Sequence, residues 1–268
     1  PGGDPARRMA PFLNDEADPE KSLVFAYLNT NKQSITLDLK SETGIQILKA
    51  LVEGSDVLVE NFAPKVMPSL GLDFEALQEI NPGLVMTSIS NFGQTGPYRD
   101  YKAADIVEYA MGGLLYISGA YDREPLKHAF NQAQFKAGTD AASATLMAMY
   151  HQRLTGDGQR VDVSIQEAVA TGLRDVVNNF TYSGAVRRRQ PNHSGDLSRI
   201  RASADGHLTP NPGIGAGLNW NTLVEFLDLP ELDDEKFETP SARLVNAEEL
   251  GRILDEYFIN QNKYEQFY

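Results

Sequence analysis

The sequence predicts an α/β fold: a large domain built on a parallel sheet, then the start of a second, smaller α+β domain. Three observations predict it. Strand-length apolar runs alternate with helix-period segments from residue 34 to residue 164. Glycine or Asn-Pro closes the early helices. Beyond residue 182 the periodicity gives way to loop chemistry before helical spacing returns.

Residues 34–39 alternate β-forming and polar side chains and read as a strand. Ser41 then stands where a helix N-cap belongs, and Ile45, Leu48, Leu51 and Val52 make one apolar helical face that Gly54 stops. Residues 56–60 are a short apolar strand. Residues 74–80 form a helix ended by Asn81-Pro82, and residues 84–89 form a buried strand. Strands separated by helices favour a parallel sheet with crossover connections. Nucleotide-type ligands bind such sheets at the carboxyl ends of the strands. Asn61-Phe62 and Ser90-Asn91-Phe92 follow predicted strands directly, where a ligand would lie.

Residues 137–153 read as a long helix, 155–158 as a turn and 160–164 as a returning strand. Between residues 182 and 217 the runs Arg187-Arg188-Arg189, Asn192 to Gly195, Asn211 to Gly213 and Gly215 to Gly217 are loop chemistry. The domain transition is placed there, giving a large domain over 1–186 and a linker with a truncated small domain over 187–268. Helices are expected at 221–227 and 248–258. Both ends read as cut, because the chain opens on Pro1 and stops on Phe267-Tyr268 with no helix-ending signal.

The 268 residues suffice for a large core. A net charge of −13 argues against nonspecific nucleic-acid binding, which needs a basic surface. Absence of cysteine excludes disulfides, zinc thiolates and a cysteine nucleophile. The four histidines, His128, His151, His193 and His207, show no metal-ligand spacing, so no metal is expected. No segment approaches the ~20 apolar residues of a membrane helix, and no signal-peptide pattern opens the chain, so the expected location is cytoplasmic. Gly213, Gly215 and Gly217 read as a flexible loop, since no strand precedes them and no helix follows in the phosphate-loop pattern.

A run of motifs occurs in fixed order: PGGDP at the start, SITLDLK at 34–40, SDVLVENFAP at 55–64, SNFGQTGPY at 90–98, KAADIVEYAMGG at 102–113 and TGDGQRVDVS at 155–164. Together these resemble the family III CoA-transferases, which include formyl-CoA transferase, carnitine CoA-transferase and α-methylacyl-CoA racemase. The resemblance implies a Rossmann-like large domain that binds coenzyme A or an acyl-CoA. The matching CoA-contact positions are Leu37, Leu39, Lys40, Asn61, Phe62, Lys102 and Asp105. A lysine near a phosphate supplies a point charge. Ser69 departs from the pattern, standing where formyl-CoA transferase has an arginine.

In the resembling family one aspartate attacks the acyl-CoA thioester and forms a mixed anhydride. It then becomes an aspartyl-CoA thioester that the acceptor acid attacks. Counted back from Thr155-Gly156, its place here holds Gln134. An amide is a poor nucleophile but can hydrogen-bond a carbonyl or carboxylate. Asp140 lies in the same predicted helix nearly two turns on, too far to substitute. The racemase branch pairs the aspartate with a histidine whose place here is Ala104, so a racemase is not expected. The implied activity is transfer of CoA from an acyl-CoA thioester to a carboxylic acid. The implied partner is a second subunit, in an interlocked homodimer or a heterodimer with an aspartate-bearing paralogue. A noncatalytic CoA-binding subunit is the alternative.

Overall fold

The computed structural model describes residues 3–189, 195, 197, 199–210 and 219–262. Pro1 of the opening motif, His193, the runs at 192–194 and 211–217, and the apolar end Phe267-Tyr268 lie outside the described residues.

In chain order come helix α1 (Leu23–Leu28), helix α2 (Glu42–Glu53), strand β1 (Val57–Glu60), the short helices α3 (Val66–Ser69) and α4 (Phe74–Gln78), and strand β2 (Val85–Ser90). Helices α5 (Asp105–Met111) and α6 (Leu114–Ile117) follow, then the long helix α7 (Gln132–Thr155) and strand β3 (Arg160–Ser164). Helices α8 (Ile165–Thr171) and α9 (Arg174–Ser183) precede the hairpin strands β4 (Arg201–Ser203) and β5 (Gly206–Leu208). Helices α10 (Trp220–Leu227), α11 (Glu235–Glu238), α12 (Pro240–Val245) and α13 (Ala247–Phe258) are the last elements among the described residues.

The expected α/β class is met. β1, β2 and β3 form a parallel sheet in that order, with Glu60 opposite Ser88 and Ser90 opposite Ser164. Connections between parallel neighbours must return the chain to the same edge, and helices do this here. Caps read from sequence are present. The Ser41 hydroxyl accepts the Gly44 N–H at 3.0 Å, and Gly54 closes α2.

The chain divides into two compact units, both discontinuous. The first is Pro1–Lys102 with Ala137–Ile165. Its core joins Val52 of α2 to Met67, Leu72, Leu77, Leu84 and Met86. A buried pair ties β2 to α7 in the same unit. Thr145 donates its hydroxyl to the Ala141 carbonyl at 2.7 Å, so Thr87 must be the donor in the 2.6 Å Thr87–Thr145 bond. The second unit is Ala103–Lys136 with Gln166–Tyr268. Its core gathers Trp220, Leu227, Phe237, Leu254 and Phe258 from α10, α11 and α13, beside the antiparallel β4–β5 hairpin. Buried Arg201 of β4 pairs with Asp255 of α13 at 2.5 Å.

Two expectations on elements need correction. Residues 34–38 take no regular secondary structure and join no ladder, and Leu39-Lys40 is a turn. Alternation describes an extended segment, but a strand also needs a neighbour to take its hydrogen bonds. Helix α7 starts at Gln132, before the expected residue 137. Its first turn is held by a carboxylate from α5, a partner that local sequence does not reveal.

Candidate functional site

In the first unit, the parallel register brings the carboxyl ends of β1 and β2 to one sheet edge, so Asn61 and Asn91 both leave from that edge. Glu60, the buried last residue of β1, turns its Oε2 onto the Phe62 N–H at 2.8 Å. This carboxylate–amide bond fixes the turn that displays Asn61 and leaves the Phe62 ring partly exposed. After β2, Phe92, Tyr98 and Tyr101 form a ring cluster with centroids 5.3 to 6.4 Å apart. The Asn91 amide donates to the Tyr101 carbonyl at 3.4 Å. Gly93 has φ +79°, a left-handed turn that lets the following Gln94 N–H meet the Asp162 carboxylate at 2.9 Å.

Lys40 is exposed, and its own N–H bonds the Asp38 side chain at 3.0 Å. Leu37 and Leu39 are half-buried beside it. The segment lies against the start of α2, because a Cβ on Gly44 would sit 1.9 Å from the Asp38 carbonyl oxygen. Only glycine permits that approach. Lys102 is exposed at the end of the first unit's opening segment.

Asp105 and Gln134 belong to the second unit, which joins them. Asp105 begins α5 and is 8% exposed. Its Oδ1 accepts the Ala133 N–H at 2.9 Å and the Gln134 N–H at 3.4 Å, which caps the first turn of α7. Its Oδ2 pairs with Lys127 Nζ at 2.8 Å. The same ammonium donates to the carbonyls of His128, at 2.9 Å, and Phe130. Phe130 is left-handed, with φ 59°, an outlying conformation for a bulky residue. Three donors of one lysine thus hold a strained bend directly before α7. Within α7, Asn131 Nδ2 donates to Gln134 Oε1 at 2.8 Å, and the Gln134 side chain is exposed.

One turn beyond Asp105, Glu108 is 1% exposed. Burial, reinforced by the Asp105 charge, raises its carboxyl to about 7. The buried Tyr109 hydroxyl is hydrogen-bonded to His128 Nδ1, and the rings meet edge to face at 5.7 Å. Among the described residues no cluster of three or more His, Asp or Glu side chains could hold a metal ion. No helix among them is long and apolar enough to cross a membrane.

Sequence reasoning passed over Glu60, Asp162 and Lys127. Asp162 carried little signal, as one of the polar residues that alternate with valine in RVDVS. Lys127 carried none, because its partners are set by the bend.

The chain matches the CoA-transferase family III over residues 1–266. It is 32% identical to the succinyl-CoA:(R)-benzylsuccinate CoA-transferase subunit BbsE of Thauera aromatica, over 88% of this chain and 59% of that protein. It is 35% identical to a formyl-CoA:oxalate CoA-transferase of Streptomyces avermitilis, over 99% of this chain and 68% of that protein. The chain therefore spans about three fifths to two thirds of the length of these curated relatives. Among solved structures, a CAIB/BAIF family protein from Brucella suis covers all of this chain with a TM-score of 0.78 and 30% identity, the chain covering 71% of it. The order of motifs, the parallel sheet and these matches agree, and the chain belongs to the family III CoA-transferases.

Proposed function

We propose that this protein moves CoA between an acyl-CoA thioester and a carboxylic acid, binding the CoA through the strand-end segments of the first unit. The observation that carries the binding claim is the built turn after β1, where Glu60 holds the Phe62 N–H and displays Asn61. Lys40 and Lys102 are exposed cations able to meet phosphate, and Leu37, Leu39 and Phe62 offer apolar surface. Residues 1–186 act as the CoA-binding domain, and the protein works in the cytoplasm without a metal.

Position 134 decides what the chain does alone. A carboxylate there would attack the thioester carbonyl and expel CoA thiolate, giving a mixed anhydride; the thiolate would then attack the aspartyl carbonyl and release the donor acid, leaving an aspartyl-CoA thioester for the acceptor acid to attack. Gln134 cannot form that anhydride. The second reading is therefore a noncatalytic CoA-binding subunit whose partner supplies the aspartate. Two relatives bear names of subunits, the benzylsuccinate CoA-transferase subunit and the succinyl-CoA–L-malate CoA-transferase alpha subunit. Exposed Leu146, Met147, Tyr150 and Leu154 along α7 support a dimer, homomeric or heteromeric, because they form an uncovered apolar stripe at helical spacing.

Calorimetry on the full-length protein tests binding, and absence of any CoA binding removes the proposal. Mass spectrometry after incubation with acyl-CoA thioesters separates the two readings. A covalent CoA adduct on this chain supports autonomous transfer, whereas an adduct only on a co-purified partner supports the subunit reading.

A further inference from the structure

We propose that the carboxyl end of the parallel sheet binds an alkali cation, sodium or potassium, between the Glu60 and Asp162 carboxylates and against the Ser88 and Ser90 hydroxyls. All four residues belong to the first unit. The inference does not depend on the CoA reading. The ion is structural and takes no part in moving CoA.

The argument starts from the polar end of a buried strand. Met86, Ser88 and Ser90 alternate onto one face of β2. Met86 joins the apolar core. Ser88 is 0% exposed and Ser90 6% exposed, yet neither hydroxyl has a hydrogen-bond partner among the described residues. Buried side-chain polar atoms are in large majority satisfied, so two orphans in one strand call for a ligand. The register sets Glu60 of β1 and Asp162 of β3 on either side of Ser88, and Ser164 beside Ser90. Neighbouring strands lie about 4.8 Å apart, so these side chains share one small polar patch. A Cβ on Gly93 would meet Ser164 Cβ at 3.5 Å and Asp162 Oδ2 at 3.6 Å, so the loop after β2 closes over the patch.

The negative charge of the patch has no counter-ion. Glu60 is buried, and its carboxylate accepts only the Phe62 N–H. The Asp162 carboxylate accepts the Gln94 N–H, and no cationic side chain pairs with either acid among the described residues. Buried charges are normally paired or bound to a metal. Two carboxylates and two hydroxyls are hard oxygen ligands, as a hard cation requires. A divalent ion would ask for more, since calcium takes about six to eight oxygens and no third acid or histidine joins these two among the described residues. The third orphan, Gln94 Nε2, is a donor and suits a water carried by the ion. Asp162 is exposed, which gives the ion a way in.

The test is thermal unfolding of the full-length protein in sodium, potassium or choline chloride at one ionic strength, so that screening is equal. We expect sodium or potassium to raise the midpoint over choline by about 2–4 °C, saturating with concentration. The better of the two names the ion. Ser88→Ala and Ser90→Ala each remove one ligand, spare both carboxylates, and should lose at least half of that rise. In crystals of the wild type, thallium(I), a potassium substitute that scatters anomalously, should give a peak beside Ser88. Equal midpoints in the three salts overturn the inference. A rise that both alanine variants keep in full also overturns it, because the ion then binds elsewhere. Should a variant fail to fold, the thallium map decides, and no peak beside Ser88 overturns the site.

Discussion

Asp162 in β3 accepts the Gln94 N–H through Oδ2 at 2.9 Å, with Oδ1 at 3.2 Å, so a carboxylate on one strand anchors the loop leaving its neighbour. That loop carries Asn91, Phe92 and the left-handed Gly93. Asp162→Ala should lower stability by about 1 kcal/mol, the net worth of an ordinary hydrogen bond. It should weaken CoA binding by more than that loss of stability explains, because the loop lies at the strand-end site. Asp162→Asn keeps one acceptor oxygen and should lose less. Denaturation midpoints with calorimetry on the same variants check both statements.

Glu60 does the corresponding work after β1. Glu60→Ala leaves the Phe62 N–H without its acceptor, and the turn bearing Asn61 should relax. A several-fold rise in the CoA dissociation constant is expected, with partial recovery in Glu60→Gln, whose amide oxygen can still accept. Equal affinities for the wild type and Glu60→Ala would separate this turn from the ligand.

Gln134→Asp should raise transferase activity, or create it where none is measurable. A gain of several orders of magnitude is not expected, because the new carboxylate would stand beside the Asp105 carboxylate that already caps α7. A radiolabelled acyl-exchange assay measures the gain, and mass spectrometry should find the new adduct at position 134. An adduct at Asp105 in the wild type would move the nucleophile there.

The Glu108 carboxyl, raised to about 7, links stability to pH. The folded state holds this proton more tightly than the unfolded chain, whose carboxyl titrates near 4.5. Between those values the folded state binds more protons, so this group makes stability fall as pH rises from about 4.5 to 7. Above 7 the full penalty for the buried charge is present. Glu108→Gln should flatten that decline and be the more stable protein at pH 8. Urea titrations at pH 5 and pH 8 read the difference, and an unchanged slope between wild type and variant would refute it.

The Thr87–Thr145 bond gives a double-variant test. Thr145→Val strands the buried Thr87 hydroxyl and should cost about 1–3 kcal/mol. Adding Thr87→Val removes the stranded group, so the pair should cost less than the sum of the singles. Additive losses would show that the two hydroxyls do not depend on each other.

Local signals were legible where local chemistry decides the outcome. Ser41 and Gly54 bound α2 where the sequence placed them, because caps act within a turn, whereas α4 ends at Gln78, short of the expected residue 80. The strand at 85–90 was legible because a run buried in a parallel sheet has little alternative, and those at 57–60 and 160–164 because β-branched valines recur between turn signals. The strand expected at 34–39 failed for want of a neighbour, a fact no alternation encodes. The start of α7 was missed because its cap, Asp105, lies far back in the chain. Gln134 was reached by counting back from Thr155-Gly156, but its bonds with Asn131 and Asp105 required coordinates.

The sheet order has a consequence for how the protein is made. β2 is central, yet its second neighbour begins only at Arg160, after α5, α6 and all of α7 have been synthesised. Until then β2 presents a bare row of backbone donors and acceptors to whatever else is nearby. Closing that gap demands a long-range pairing late in synthesis, which is slow and leaves the nascent chain open to aggregation. Substitutions in the RVDVS segment should therefore show first as poor yield of soluble protein, before any loss appears in molecules that have finished folding. In the cell, the strand that completes the sheet sets how much protein survives to meet its ligand.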